Sequence, residues 1–369
     1  MNELIEGVRQ FAAREIAPHA AEVDRTGHLP DGLFRKMGEQ GLAGLVVPER
    51  WGGIGADLAT FAGCLEALGS ACASTAWVVL AHSACARTIV AAGTDAQKDR
   101  WLPALASGRL VGSAMAGTEA GGGSNPMGMR SRARREGDGW ALEGSKEFIT
   151  LAGVADLYVV MARTADEPVS LGCLLVEKGD SGLSFGRREE LLGVHGVPVG
   201  GLSFSGCRLA ADRLLGAEQG GLAVMGAMGA WGLAGAAAAA VGIASAALTD
   251  AIAYLSARTV AAAPLSSLPG VQALVGDLRS TLAGARARIG QAIRDAEALK
   301  GPPLPLFMAK LAATEAAVHV TDRSTALYGA AGYSREFPAE RRLRDVRAFT
   351  IHWGNNEVLR DTLARASLA

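Results

Sequence analysis

The spacing of apolar residues changes twice along this chain, and this change constrains the fold most. Up to about residue 110, apolar residues recur at helical spacing, as Leu4, Val8 and Phe11 do. Short alternating or β-branched runs follow to about residue 213, and helical spacing then returns. The order predicts a mainly α protein with a central β domain. Its predicted parts are an N-terminal helical domain at 1–110, a middle β barrel or sandwich at 111–213 and a C-terminal four-helix bundle at 214–369.

The middle segment contains five runs with strand character, separated by turn residues. Gly137-Asp138-Gly139 and the stretch 178–182 supply turn chemistry, because Gly and Asp accept the backbone angles that tight turns need. The predicted strands are 139–142, 148–150, 157–161, 174–176 and 202–204.

The longest apolar run, residues 232–248, consists mainly of Ala and Gly and includes Ser245. It is too weakly hydrophobic and slightly too short for a typical membrane span. A helix packed at close range on its neighbours explains the run better, so we expect no membrane partner.

The charge and cysteine content exclude several classes of protein. The 36 basic and 37 acidic residues leave a net charge of -1 and form no concentrated patch, which disfavours nucleic acid and anionic membranes as partners. The 5 cysteines lack CxxC spacing, so small buried hydrophobes in a reducing compartment are expected and a metal site is not. The first six residues include two acids and no apolar core, which predicts a cytoplasmic protein without a signal peptide.

Four short motifs stand out along the chain, and the first two lie at a characteristic separation. Residues 117–124 read GTEAGGGS, residues 146–150 read KEFIT, residues 344–345 read RD and residues 353–360 read WGNNEVLR. A Gly-rich stretch lets the backbone approach a ligand closely and offers free N–H groups to phosphate, although alone it is more often a flexible loop. Together the motifs make the sequence resemble the acyl-CoA dehydrogenase flavoprotein family, from about residue 8 to residue 365.

The resemblance implies an FAD cofactor and an acyl-CoA dehydrogenase-like fold. It implies that Thr118 and Thr150 bond the isoalloxazine and that Phe148 covers one ring face. Gly123 and Ser124 are expected near the pyrophosphate or the substrate phosphopantetheine.

The resemblance also places Asn355 and Glu357 with the cofactor, Glu357 towards its adenine end. Arg258 matches the family Arg that reaches a neighbouring subunit's FAD pyrophosphate, which implies a homodimer or homotetramer, with a heteromer still open.

Several residues depart from the family pattern around the cofactor. Ala261 and Ala262 stand where an aromatic residue and Gly are usual, and Ala326 and Ala330 stand in the segment that usually reads Gln-x-x-Gly-Gly. These departures alter predicted FAD contacts but not the predicted fold.

The departures around the substrate are larger. Trp353 occupies the position of the Glu that removes the substrate α-proton in the family, and an indole offers only an N–H donor. His195, His352 and Glu357 are the nearest candidates to replace that base, although a structural role is the better interpretation of each.

Two further family contacts are changed. Trp231-Gly232-Leu233 stands where relatives carry a CoA-contacting Arg and sometimes an alternative Glu, and Asn125 replaces an Asp.

The sequence is compatible with three functions, of which we favour the first. The first is FAD-dependent oxidation of an unusual acyl thioester, on CoA or an acyl carrier protein, in specialised metabolism. The second is a flavin-dependent monooxygenase of the related branch, which uses reduced flavin and O₂. The third is a non-catalytic partner subunit of a heteromeric acyl-CoA dehydrogenase.

Overall fold

The computed structural model describes residues 2–122, 125–166, 168–298 and 303–368. Helices form most of the two ends of the described chain. The α-helices, α1 to α11 in order, are Asn2–Phe11, Ala20–Thr26, Leu33–Glu39, Leu58–Ala71, Ala73–Ala92, Asp95–Ala106, Gly221–Ala257, Pro269–Ala298, Leu304–Ala326, Ala339–Ala348 and Asn356–Leu368. Short 3-10 or π-helical segments are Ala12–Ile16, Ala17–His19, Glu49–Trp51, Pro126–Gly128, Ala211–Arg213, Leu265–Ser267 and Gly329–Tyr333.

The middle of the chain forms one mixed sheet. Its strands, β1 to β8, are Gly112–Ala116, Arg132–Glu136, Gly139–Thr150, Leu157–Asp166, Val169–Glu177, Leu183–Arg188, Val199–Leu209 and Leu214–Leu215. The strand order is β6-β7-β3-β2-β4-β5-β8, and β1 pairs in parallel with β4. The short hairpin β9–β10, Thr259–Val260 and Ala263–Pro264, lies apart from this sheet. The predicted fold class, helical then β then helical, is therefore confirmed.

Strand β3 differs from the prediction because it joins two predicted strands, 139–142 and 148–150, into one. Its pairing with β7 is irregular between Lys146 and Ile149, and Phe148 within that interval has φ +53°. Positive φ is unusual for a bulky residue and re-aims the side chain. The irregularity leaves Phe148 61% exposed, although Lys146 and Ile149 on the same strand are buried.

Helix α7 contains the Ala- and Gly-rich run and extends well beyond it, to 37 residues. Its glycines permit close approach of neighbouring helices, because a Cβ at Gly242 would overlap the Glu66 carbonyl of α4 and one at Gly235 would overlap Leu80 of α5. Helices α5 and α7 are long and apolar enough to span a membrane, but 78% and 83% of the relevant windows are buried inside the protein. The predicted close packing of this helix is therefore what the structure shows.

The C-terminal helical region contains five described α-helices where four were predicted. The difference arises because α10 and α11 are separated by a turn at residues 349–355. Trp353 and Gly354 in this turn have φ +56° and +93°, which a continuous helix cannot accommodate. The turn therefore places Trp353 between α10 and α11.

All five cysteines are buried and free, as expected for small hydrophobic residues of the core. Burial raises the pKa of the Cys64, Cys85 and Cys173 thiols to about 12, so these thiols are not activated nucleophiles.

The β9–β10 hairpin generates a stability prediction. Ala261 and Ala262 form its two-residue turn with φ +49° and +65°, a conformation that costs an L-residue about 1–2 kcal/mol. We expect Ala262→Gly to raise the free energy of unfolding by about 0.5–1 kcal/mol in urea titrations, after the entropy that Gly adds to the unfolded chain. The control Ala253→Gly, at an exposed interior position of α7, should lower it by about 0.5–1 kcal/mol. Destabilisation by both substitutions would show that the turn is not strained.

Candidate active site

A buried lysine of α9 fixes the turn between α10 and α11. Lys310 of α9 is fully buried, and its Nζ donates to the Gly354 carbonyl at 2.5 Å and to Asn356 Oδ1 at 2.9 Å. Asn356 Nδ2 donates in turn to Thr314 Oγ1 at 3.1 Å. Burial lowers the pKa of Lys310 to about 7. The two oxygens that accept from Lys310 are neutral, and these hydrogen bonds connect the turn to α9.

Trp353 lies against α7 where that helix has no side chain. A Cβ at Gly232 would overlap the six-membered part of the Trp353 indole. The indole is partly buried, and its Nε1 is buried without a hydrogen-bond partner among the described residues. A buried N–H of this kind is costly unless a ligand or water accepts from it.

Trp353 belongs to an aromatic cluster that we define as Trp77, Phe349, His352 and Trp353. The His352 ring stacks on Trp77 with centroids 3.9 Å apart, and the Trp353 and Phe349 rings contact His352 and Trp77 edge-on at 5.5 and 5.6 Å. Trp77 Nε1 then donates to Thr150 Oγ1 at 3.2 Å. The cluster thus forms a continuous aromatic contact between α7 and the end of β3.

His352 adjoins Trp353 but lacks the basicity of a proton acceptor. Burial, helped by the charge on Lys310, lowers its pKa well below the usual range. Its Nδ1 is buried and has no partner among the described residues. A base of such low pKa gives little driving force for removing a proton from carbon.

A buried ion pair between the Gly-rich loop and β3 holds that loop in place. Lys146 Nζ donates to Glu119 Oε1 at 2.6 Å, and Ser131 Oγ donates to the same oxygen at 2.6 Å. Although burial alone would raise the pKa of Glu119, these bonds and two backbone N–H groups lower it to about 2. Glu119 is thus a buried carboxylate that fixes the loop, with Thr118 bonded through its carbonyl to the Glu147 N–H at 3.0 Å.

Phe148 and Thr150 project from the same end of β3 with different environments. The exposed Phe148 ring offers a flat apolar surface, while Thr150 is 8% exposed. The Thr150 carbonyl accepts from Ser113 Oγ at 2.6 Å. Gly123 and Ser124, which were predicted to lie near the pyrophosphate, fall outside the described residues.

His195 is held in a network of ion pairs. Its Nδ1 lies 3.0 Å from Asp24 Oδ1, and its Nε2 lies 3.0 Å from the Leu191 carbonyl. Arg344 pairs with the same aspartate at 2.7 Å. Because both ring nitrogens face oxygen atoms of the chain itself, neither is directed at a substrate.

Asp345 holds the same loop through the backbone. Its Oδ1 accepts from the Val194 N–H at 2.5 Å, and burial raises the pKa of Asp345 to about 6. The two residues of the Arg344-Asp345 motif therefore fasten the loop that carries His195 to α10.

Three predicted cofactor residues lie on exposed surfaces of the single chain. Arg258 caps the C-terminus of α7 and is exposed. Asn355 Oδ1 accepts from the Glu357 N–H at 2.9 Å, and Glu357 Oε1 accepts from Arg360 at 2.6 Å. Their roles toward a cofactor stay predictions, since Asn355 and Glu357 are bonded to neighbouring residues and Arg258 is exposed to solvent.

Three domain models of one family match almost the whole chain in sequence. They are the acyl-CoA dehydrogenase N-terminal domain at residues 1–109, the middle domain at residues 114–207 and the C-terminal domain at residues 219–368. The chain belongs to the acyl-CoA dehydrogenase family. The cyclohex-1-ene-1-carbonyl-CoA dehydrogenase of Syntrophus aciditrophicus (strain SB) is 34% identical over 99% of this chain and 89% of its own length.

Solved structures of related acyl-CoA dehydrogenases share the fold throughout. Butyryl-CoA dehydrogenase from Megasphaera elsdenii superimposes with a TM-score of 0.95 at 29% identity, covering 100% of this chain and 98% of that one. The prolyl acyl carrier protein oxidase AnaB gives 0.91 at 26% identity over 98% and 97%. A glutaryl-CoA dehydrogenase from Mycobacterium smegmatis in complex with FADH2 gives 0.93 at 25% identity over 99% and 93%. The predicted family and its FAD cofactor are confirmed by these comparisons.

The residues of this family member fit a flavin at the end of β3. An exposed aromatic ring stands at a positive-φ position, which is the kind of strained placement found at functional sites. Beside it the Thr150 hydroxyl oxygen accepts from Trp77 Nε1, so the hydroxyl hydrogen is the part of the group that can be donated to a ligand. Both features suit a flat ring with polar edges.

Sequence reasoning missed Trp77 and Lys310, which contact site residues that are distant from them in sequence. Trp77 lies in an apolar helix and reads as a core residue, and Lys310 reads as a solvated charge. Helical spacing puts Lys310 on the same face as the buried Ala313 and Thr314, which is the one signal that could have shown its burial.

The Glu119–Lys146 pair generates a second prediction. Lys146→Met should lower the free energy of unfolding by about 3–5 kcal/mol, because it leaves a buried carboxylate unpaired. The double variant Glu119→Gln/Lys146→Met should recover part of this loss, since no charge then remains buried. Chemical denaturation of the three proteins measures both effects, and a double variant less stable than Lys146→Met would contradict the pairing.

Lys310 generates a third prediction, which concerns pH. Lys310→Met should cost about 1–3 kcal/mol at neutral pH, because Gly354 and Asn356 lose a donor. The folded-state pKa of about 7 lies below the ordinary 10.5, so the unfolded chain binds this proton more tightly. The Lys310 contribution to stability should therefore rise as pH rises from about 7 to 10.5.

Urea unfolding at several pH values measures this effect as the difference between the parent and Lys310→Met. The matched control is Lys36→Met, which removes an exposed lysine paired with Glu15 and should change stability by at most about 1 kcal/mol. A parent-to-variant difference that stays constant between pH 7 and 10 would contradict the lowered pKa.

Proposed function

We propose that this acyl-CoA dehydrogenase uses FAD to oxidise an unusual acyl thioester, carried by CoA or by an acyl carrier protein, without a carboxylate base at residue 353. The observation that carries the proposal is the packing of the Trp353 indole onto Gly232, beside a histidine of very low pKa. The likeness to a prolyl acyl carrier protein oxidase supports a carrier-bound substrate. A biosynthetic role in the cytoplasm is part of the same proposal.

The oxidation removes two hydrogens from the substrate. A proton passes from the α-carbon to solvent water, a hydride leaves the neighbouring atom, and a double bond forms between the two. FAD when bound supplies the acceptor for the hydride. The residues that would hold it are Thr118, Phe148 and Thr150 on the β side, with Arg258, Asn355 and Glu357 at more distant parts of the cofactor.

The protein's own contribution to proton removal is limited. General-base catalysis is typically worth about 10²- to 10⁴-fold, and neither His352 nor His195 is arranged to supply it. A substrate with an acidified α-C–H, or one oxidised at a carbon bearing nitrogen or oxygen, needs less help from a base. The Trp353 N–H, which is buried and has no partner among the described residues, is the donor that we propose for such a substrate.

The indole also restricts the shape of the substrate. Trp is far bulkier than the Glu it replaces, and Gly232 accommodates only part of the ring, which remains partly exposed. We therefore propose that the site is narrow above the flavin and that straight-chain acyl-CoA substrates are poor ones.

A non-catalytic subunit of a heteromeric dehydrogenase is the second candidate. The same aromatic cluster favours it, because a subunit whose partner supplies the base has no need of an acid or base there. The flavin content of the purified chain separates the two, since the first candidate requires a flavin-saturated protein. A monooxygenase would instead consume O₂ with reduced flavin supplied.

Anaerobic bleaching of the bound flavin by thioesters tests the role of residue 353. The purified, FAD-loaded parent should show no anaerobic flavin bleaching with butyryl-CoA or octanoyl-CoA, whereas prolyl or other activated thioesters on a carrier protein should bleach it. Trp353→Glu should gain at most weak butyryl-CoA oxidation, because the rest of the pocket is built around an indole.

Trp353→Gln is the matched control for this experiment. It removes the same bulk as Trp353→Glu without supplying a carboxylate, so it should show no butyryl-CoA oxidation at all. Robust acyl-CoA oxidation by the parent would show that the chain contains an unrecognised base. Failure of every thioester to bleach a flavin-saturated parent would refute the proposed function.

A further inference from the structure

Trp77 is the cluster member that touches the predicted flavin site directly. Its Nε1 lies 3.2 Å from Thr150 Oγ1, and the bond is buried. An indole nitrogen can only donate, so the threonine oxygen must accept. The direction of this hydrogen bond is therefore fixed by chemistry.

The bond leaves Thr150 with one unused polar group. Its carbonyl is occupied by Ser113 Oγ at 2.6 Å and its hydroxyl oxygen by Trp77. No acceptor for the hydroxyl hydrogen is found among the described residues. The side chain is thus prepared as a donor towards whatever lies over the end of β3.

Trp77 itself has little freedom to move. One face stacks on His352 at 3.9 Å with an interplanar angle of 23°, and Phe349 contacts it edge-on at 5.6 Å. It is 8% exposed within α5. A donor locked in this way holds its acceptor in one rotamer, because a different Thr150 rotamer would leave a buried N–H unpaired.

We propose that Trp77 is a positioning residue for the cofactor, which acts by fixing Thr150 as a hydrogen-bond donor to the flavin ring. The inference rests on the proposed function, since it requires bound FAD. On this proposal, the His352 ring orients Trp77 by stacking on it and needs no role in proton transfer. Trp77 acts through Thr150 and does not itself contact the reacting atoms.

The test compares FAD binding and the visible spectrum of the bound flavin in the full-length protein. Trp77→Phe keeps an aromatic ring and removes the donor, and it should weaken FAD binding roughly 2- to 12-fold, which corresponds to one hydrogen bond. Thr150→Val should cause a similar loss and shift the flavin spectrum in the same direction. Thr150→Ser, which keeps the hydroxyl, should behave like the parent.

The double variant Trp77→Phe/Thr150→Val decides whether the two residues act as one unit. It should bind FAD no more weakly than the weaker-binding single variant, because one hydrogen bond cannot be lost twice. The control is Trp51→Phe, which removes a comparable indole hydrogen bond, 2.8 Å to Asp99, outside the aromatic cluster and should leave FAD binding and the spectrum unchanged.

Full additivity of the two losses, or a Trp77→Phe protein indistinguishable from the parent, would overturn the inference while the proposed function stands. Should Trp77→Phe fail to fold, normal FAD binding and a normal spectrum in Thr150→Val would overturn it equally. A parent chain that binds no FAD at all would remove the proposed function and this inference together.

Discussion

The close approach of other elements to helix α7 is the constraint on which the rest of this structure depends. At Gly242 and at Gly69 of α4, a methyl group would overlap the backbone of the facing helix, so α4 and α7 pack with almost no side chain between them. Interior packing at this density tolerates little added volume. The Ala- and Gly-rich run is therefore explained by the space that its neighbours occupy.

The absence of a side chain at another glycine of α7 determines how Trp353 packs at the candidate site. Gly232 is the point on the helix against which the Trp353 ring lies, and a larger residue there would push the indole out of its position. Trp353 in turn contacts His352, and His352 supports Trp77. A missing side chain on one helix thus permits an aromatic cluster that reaches the end of β3, 73 residues from Trp77 in sequence.

Local patterns predicted the order of the elements, because helix and strand periodicity are properties of short windows. They failed at β3, where a positive φ at Phe148 bends one strand that looked like two. They also failed at pairs such as Glu119–Lys146 and Trp77–Thr150, whose members meet only after the sheet and α5 have packed together. Family resemblance suggested candidate site residues, but their bonds depend on tertiary structure that no local pattern contains.

The distribution of charge around the cluster argues for a substrate that does part of the chemistry itself. The ionised groups near the site are already committed: Glu119 to Lys146, Asp24 to Arg344, and Lys310 to the turn oxygens. Diverting any of them to a substrate proton would leave a buried charge or a buried polar atom without its partner, at a cost of several kcal/mol. In the proposed function, stabilisation of a developing anion falls to neutral donors, such as the Thr150 hydroxyl and the Trp353 N–H, which has no partner among the described residues, and such donors act best on a carbon acid that ionises readily.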